Sequence, residues 1–215
     1  MQRPDHVHVG DLDRDGLLRR AQRLGIFTVA WNIVEGAVAI VAAWFAGSRA
    51  LAGFGLDSAV ESVSATVLLW RLGAERRDPE RVERVERVAV RAIGVSFVLL
   101  AGYIAYEAVR SLALHDRPQA SLVGIALTLV SLAVMPLLAR RKRRVAVALD
   151  SCAAQADSAQ TRACAYLSAV VVTGLVLNAA FGWWWADPAA ALGVVVFLVL
   201  EGREALTATH IDDCC

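Results

Sequence analysis

The chain has 215 residues, of which 57% are hydrophobic, and its mean hydropathy is +0.51. So high an apolar content excludes an ordinary soluble domain and predicts an all-α, polytopic membrane protein embedded in a lipid bilayer. The formal net charge is +1, and we expect neither a nucleic-acid partner nor a permanently bound cofactor.

Six apolar segments predict six transmembrane helices, most of them about 20 residues long, as a hydrocarbon core of roughly 30 Å requires. A polar segment of residues 1–23, expected to be disordered, precedes them, and a short tail of residues 201–215 follows. The transmembrane domain is therefore predicted to cover residues 24–200. Its spans are residues 24–45, 51–72, 88–109, 120–138, 156–177 and 186–200.

Basic residues concentrate on one side of these spans. The N-terminal segment, the second-to-third connection and the block of residues 140–144 are rich in arginine. The three connections on the other side contain only Arg49, Arg110 and Arg117. Because basic connections stay on the cytoplasmic side, both termini are predicted to be cytoplasmic. We expect the protein to lie in the inner membrane of a bacterium.

Two carboxylates, Asp57 and Glu61, lie inside the second span. At a spacing of four residues they share one face of the helix. Each would cost about 2.5–3.5 kcal/mol at the bilayer centre, and two stacked anions would also repel each other. A cation between them would remove both penalties. Protonated acids that bond to neighbouring helices are the alternative reading.

The fifth span repeats this spacing with Gln160 and Cys164. A transported divalent ion usually takes about four ligands, so the predicted metal site consists of these two residues with Asp57 and Glu61. Glutamine also joins helices without binding a metal, and that alternative remains open. Possible accessory groups are Asp157, Glu35 and Asn32.

These motifs resemble the cation diffusion facilitator (cation efflux) family. Residues 56–61 fit the acidic motif of its second helix, and residues 182–188 resemble the start of its sixth. Residues 156–164 match the frame of its fifth-helix motif, with Gln160 where histidine is usual and Cys164 where aspartate is usual. Many members append a cytoplasmic domain after the sixth helix, and we expect this protein to lack it.

The resemblance implies a six-span antiporter that exports zinc or a related divalent ion in exchange for protons. A thiolate at Cys164 favours soft ions such as zinc over magnesium. Because Gln160 cannot titrate, proton exchange would depend on Asp57, Glu61 and Cys164. Family members are commonly homodimers, and small residues in the third span, Gly94, Ala101 and Gly102, would permit close contact between subunits.

Two other functions compete with transport. A membrane thiol oxidoreductase could use Cys152, Cys164 and the adjacent Cys214 and Cys215. The four cysteines are expected, however, to be free thiols that face a reducing cytoplasm or the membrane interior. A non-transporting scaffold or sensor would leave the acidic pair unexplained. The tail, with His210 and neighbouring acids, could collect metal loosely, and the role of Arg162 stays open at this stage.

Overall fold

The computed structural model describes residues 9–46, 49–77, 82–115 and 122–207. These residues form six helices and, within those ranges, no strand, so the prediction of an all-α protein with six helices is confirmed. The helices are α1 (Val9–Ala46), α2 (Arg49–Arg77), α3 (Val82–Leu114), α4 (Leu122–Leu149), α5 (Cys152–Phe181) and α6 (Ala186–Thr207).

Two helices extend well beyond their predicted spans. Helix α1 begins at Val9, so most of the polar N-terminal segment is helical and the expectation of disorder is wrong there. The reason is packing, because Leu18 and Ala21 are buried in the same core cluster as Leu68. Helix α4 continues through Pro136 and includes the basic block of residues 140–144, which was expected to be a connection.

Three helices are long and apolar enough to cross a membrane by length and composition alone, judged on the described residues. They are Arg14–Phe45, Glu83–Leu114 and Leu122–Leu149. In α2 the two acids Asp57 and Glu61, with neighbouring serines, lower the mean hydropathy. These polar residues lower the hydropathy of α2, although the helix is long enough to cross a membrane.

The exterior of the bundle carries large apolar side chains, and its interior buries polar ones. Large side chains such as Trp44, Phe45 and Leu122 are mostly exposed, whereas the centre buries carboxylates, amides and hydroxyls. This arrangement is expected in a bilayer, where apolar groups can face lipid and polar groups must find partners inside the protein.

The helices pack most extensively as three pairs, α1 with α2, α4 with α5 and α3 with α6. The first two pairs also contact each other and surround the polar centre, while α3 and α6 flank it. Small residues allow these close contacts. A Cβ atom added to Gly36 of α1 would lie 3.3 Å from the carbonyl oxygen of Gly55 in α2, and one added to Gly94 would lie 3.1 Å from the Cβ of Ala205 in α6.

The α3–α6 contact accounts for part of the small-residue stripe that was expected to lie between subunits. Gly94 packs against α6 of the same chain, and Ala101 is buried. Gly102 alone of the three is exposed. The small residues of α3 therefore serve first to bring two helices of one chain together.

Candidate cation site

The four residues predicted as metal ligands all lie inside the bundle. Asp57 and Glu61 of α2, and Gln160 and Cys164 of α5, each have 0% of their surface exposed. None of them is directed at lipid. The repeated spacing of four residues therefore places both pairs on the inner faces of their helices, as expected from helical periodicity.

The α2 acids lie against α5 at two points. Cys164 lies beside Asp57 and interacts with it electrostatically. One turn further along, the Thr161 hydroxyl donates a hydrogen bond to Glu61 Oε1 at 2.5 Å. Helices α2 and α5 therefore meet through polar side chains at the centre of an otherwise apolar bundle.

Several polar atoms at this contact have no hydrogen-bond partner among the described residues. They are both carboxylate oxygens of Asp57, Oε2 of Glu61 and both amide atoms of Gln160. A buried polar atom without a partner costs about 1–3 kcal/mol, and a charged one costs more. Within the described residues, these atoms therefore carry an uncompensated cost of burial.

Helix α1 supplies two further polar groups, Glu35 and Asn32, which the sequence suggested as accessory residues. Ser58 of α2 donates a hydrogen bond to Glu35 Oε2 at 3.0 Å, and Glu35 Oε1 has no partner in the described part of the chain. Asn32 lies near Glu61, and its amide is likewise unpartnered there. Both side chains are almost completely buried, so α1 forms a third wall of the polar centre.

Helix α4 contributes a cation that sequence reasoning missed. Lys142 Nζ forms a salt bridge with Asp157 Oδ2 at 2.7 Å and donates a hydrogen bond to Thr161 Oγ1 at 2.9 Å. The sequence predicts that Lys142 lies in a basic connection on the cytoplasmic side, but the side chain is 4% exposed. Asp157, an accessory residue in the prediction, has this lysine as its partner.

A tight turn between α4 and α5 positions Lys142 opposite Asp157. Asp150 adopts a positive φ of 51°, and the amides of Asp150 and Ser151 donate to the carbonyls of Val147 and Ala146 at 3.1 and 3.2 Å. This is a Schellman ending of α4. Ser151 then caps α5 by accepting a hydrogen bond from Ala154 N at 3.2 Å. The end of α4 and the start of α5 are therefore held together, and the two helices run antiparallel from this turn.

The carboxylates and the thiol are close but do not converge on one point. Within the described residues, no group of three or more histidine, cysteine, aspartate or glutamate side chains is arranged to hold a metal ion. The unpartnered carboxylate and amide atoms at the site lie on three helices, α1, α2 and α5.

A model of the cation efflux transmembrane domain matches residues 26–209. The match covers most of the chain, from the second half of α1 to the end of α6. The chain belongs to the cation efflux family. Among curated proteins, none matches this sequence.

Members of the cation efflux family are transporters and not enzymes. The protein is therefore a multi-pass membrane cation transporter, and the thiol oxidoreductase alternative is not supported. Of the cysteines within the described ranges, Cys164 is buried and free, while Cys152 is disulfide-bonded. The expectation that every cysteine is a free thiol is wrong for Cys152. The suggested metal-collecting tail around His210 lies outside the described residues.

Arg162 of the transporter, whose role the sequence left open, points away from the site. Its guanidinium pairs with Glu201 of α6 at 2.9 Å and lies 5.7 Å from the centre of the Phe197 ring. Arg162 and Glu201 line a separate cavity of about 430 Å³, together with Arg143, Asp150 and Glu204. The positive charge of Arg162, which follows Gln160 and Thr161 in the sequence, is therefore held away from Asp57 and Glu61.

Proposed function

We propose that this cation efflux protein is a proton-coupled antiporter that exports a zinc-type divalent cation. The proposed site is Asp57, Glu61, Gln160 and Cys164. The observation that carries the proposal is the Asp57 carboxylate, which is fully buried beside Cys164 with neither oxygen partnered among the described residues. In a cation transporter, a cargo ion is the natural partner for such a group.

The donor set favours a borderline-soft ion. Asp57 and Glu61 offer carboxylate oxygens, Cys164 offers a thiolate and Gln160 offers a neutral amide oxygen. Four ligands of mixed oxygen and sulfur type suit tetrahedral zinc, whereas magnesium requires six oxygen donors and keeps much of its water. Zinc is therefore the proposed cargo, with cadmium as a chemically similar probe.

The accessory residues have different proposed roles. Glu35 Oε1 is unpartnered in the described part of the chain and lies on the α1 wall of the site, so Glu35 and Asn32 are proposed as additional oxygen donors. Asp157 is held by Lys142 at 2.7 Å, so it is proposed to support the site rather than to bind the ion directly.

Proton exchange follows from the cost of buried charge. Two carboxylates and a thiolate without a cation would place three negative charges in a low-dielectric centre, which is unfavourable. Protons are therefore expected to occupy these groups whenever the cation is absent, and cation binding releases them. A proton gradient across the membrane would then drive export of the ion.

Transport by the purified protein in vesicles tests this proposal. With an imposed pH gradient, wild-type protein should move Zn²⁺ and Cd²⁺ but not Mg²⁺, and collapse of the gradient should abolish uphill movement. Asp57→Asn removes the charge at nearly constant volume, and it should reduce the initial rate of Zn²⁺ transport by at least about tenfold, because a lost ligand typically costs more than the 10–100-fold of an outer-sphere change.

Glu107→Gln is the matched control for this experiment. Glu107 lies on α3 and pairs with Arg110 at 3.7 Å, with both side chains partly exposed. Its substitution should leave the transport rate unchanged. Equal rates for wild type and Asp57→Asn would contradict the proposed site, and a wild-type protein that moves none of the ions would contradict the proposed cargo class.

A further inference from the structure

A continuous chain of hydrogen bonds connects three helices at the edge of the proposed site. Lys142 of α4 donates to Thr161 of α5 at 2.9 Å, and Thr161 donates to Glu61 of α2 at 2.5 Å. All three side chains are buried. The second distance lies in the range for a hydroxyl that donates to a carboxylate.

The chemistry of the three side chains fixes which one donates and which one accepts each hydrogen bond. An ammonium group can only donate hydrogen bonds, so Thr161 Oγ1 must accept the bond from Lys142. The hydroxyl has a single proton, and its nearest acceptor is Glu61 Oε1, because the carbonyl oxygen of Asp157 is farther away at 3.3 Å. Glu61 Oε1 is therefore occupied, and Oε2 is the oxygen without a partner in the described structure.

We propose that Thr161 and Lys142 are positioning residues that hold the Glu61 carboxylate with Oε2 available to the transported cation. This inference rests on the proposed function, because it assigns a role to residues next to that site. The Thr161 hydroxyl restrains rotation of the carboxylate. Lys142 in turn fixes the hydroxyl by occupying one of its acceptor positions.

Asp157 makes this arrangement compatible with cation binding. An isolated ammonium near the site would repel a divalent ion, but the salt bridge at 2.7 Å balances the charge of Lys142 with that of Asp157. The pair therefore contributes orientation with no net charge. A second ion pair of α5, Arg162 with Glu201, links α5 to α6 instead, so it serves as a comparison.

Zn²⁺ binding to the full chain in detergent, measured by isothermal titration calorimetry, tests the inference. Thr161→Val keeps the side-chain shape but removes the hydroxyl, and it should weaken Zn²⁺ affinity by about 10–100-fold, as is typical when a group that orients a metal ligand is lost. Thr161→Ser retains the hydroxyl and should bind Zn²⁺ almost as tightly as wild type. Arg162→Gln should also leave the affinity unchanged.

The result separates the two proposals. If wild-type protein binds no Zn²⁺, the proposed function fails. If wild type binds Zn²⁺ and Thr161→Val binds it equally well, the proposed function stands and the positioning role is wrong. Equal weakening by Thr161→Val and Thr161→Ser would also overturn the positioning role, because it would show that the site responds to packing and not to the hydroxyl.

The contribution of Lys142 is tested by removing the ion pair as a unit, with Lys142→Met and Asp157→Leu together, so that net charge is preserved. This double substitution should weaken Zn²⁺ affinity in the wild-type background and have no further effect when Thr161→Val is already present, because Lys142 acts through the hydroxyl. A loss of equal size in both backgrounds would overturn this role and would indicate instead that Asp157 binds the ion.

Discussion

Cys164 is the residue on which the ion preference of the proposed site most depends, because it is the only sulfur donor of the four. A thiolate favours Zn²⁺ and Cd²⁺, while a carboxylate tolerates harder ions such as Mn²⁺. Cys164→Asp should therefore shift transport in vesicles towards Mn²⁺ and away from Cd²⁺. The measurement is the ratio of initial rates for the two ions, compared with wild type.

Cys164→Ser provides the control for this shift, because serine has nearly the volume of cysteine but is a poor ligand. It should lower the rates for all ions without favouring Mn²⁺. A Cd²⁺-to-Mn²⁺ ratio that stays constant in both variants would show that Cys164 does not bind the ion.

Single residues differ in how far the sequence reveals them. Asp57 and Glu61 stand out because charge is costly inside an apolar span, and the structure buries both. Lys142 did not stand out, because it lies among four arginines that resemble a surface anchor. Its position is visible only in the periodicity of α4, where the buried residues Met135, Leu138, Ala146 and Leu149 place residue 142 on the same face.

Helix ends were predicted less well than helix centres. Hydropathy marks the part of a helix that crosses lipid, whereas α1 and α4 continue beyond it and bury residues such as Leu18 and Lys142 against the protein. The end of α4 also escaped prediction because Asp150, rather than glycine, adopts the left-handed conformation. Asparagine and aspartate tolerate this conformation better than most residues, but the sequence alone does not single out this one.

The ends of α2 and α3 are joined to the α4–α5 turn by a buried ion-pair cluster. Arg71 of α2 pairs with Glu75 and with Glu86 of α3. Glu86 also accepts hydrogen bonds from Ser151 Oγ at 2.8 Å and from Ala153 N at 2.7 Å. This cluster fixes the N-terminus of α5 and thereby supports the alignment of the site residues further along that helix.

Glu86→Gln should destabilise the protein by about 3 kcal/mol, because removal of one partner of a buried pair leaves a charge without full compensation. The measurement is the free energy of unfolding, obtained by titration with a denaturing detergent. The expected loss lies near the lower end for such changes because Arg71 keeps Glu75 as a partner.

Glu107→Gln is again the comparison, since its ion pair with Arg110 is partly exposed and should contribute at most about 1 kcal/mol. Equal unfolding free energies for Glu86→Gln and Glu107→Gln would show that the cluster does not hold these helices together.

In the whole molecule, the chain runs back and forth between the two ends of the helix bundle. At one end, Arg14 of α1 donates a hydrogen bond to Glu75 of α2 at 2.8 Å. At the other end, the ring of His115, which follows α3, packs against the ring of Trp184, which precedes α6, with 4.6 Å between the ring centres. The first end contains the arginine-rich segments. The distribution of basic residues therefore predicts that this end faces the cytoplasm.

Which helices would surround the polar centre could be inferred only in part. Polar residues in the first, second and fifth spans indicated that these helices meet. The participation of α4 was missed, because residues 120–138 contain no charge and Lys142 lies beyond them. The pairing of α3 with α6 depends on the fit of Gly94 and Gly202 against the opposite helix, which no pattern in a single sequence specifies.

The coordination of zinc in the loaded protein tests the central claim most directly. X-ray absorption at the zinc edge should show one sulfur ligand at about 2.3 Å, with oxygen ligands completing the shell. The sulfur contribution should disappear in Cys164→Ser while zinc remains bound by the carboxylates at lower affinity. A zinc shell without sulfur in the wild type, or a sulfur contribution that persists in Cys164→Ser, would contradict the proposed site.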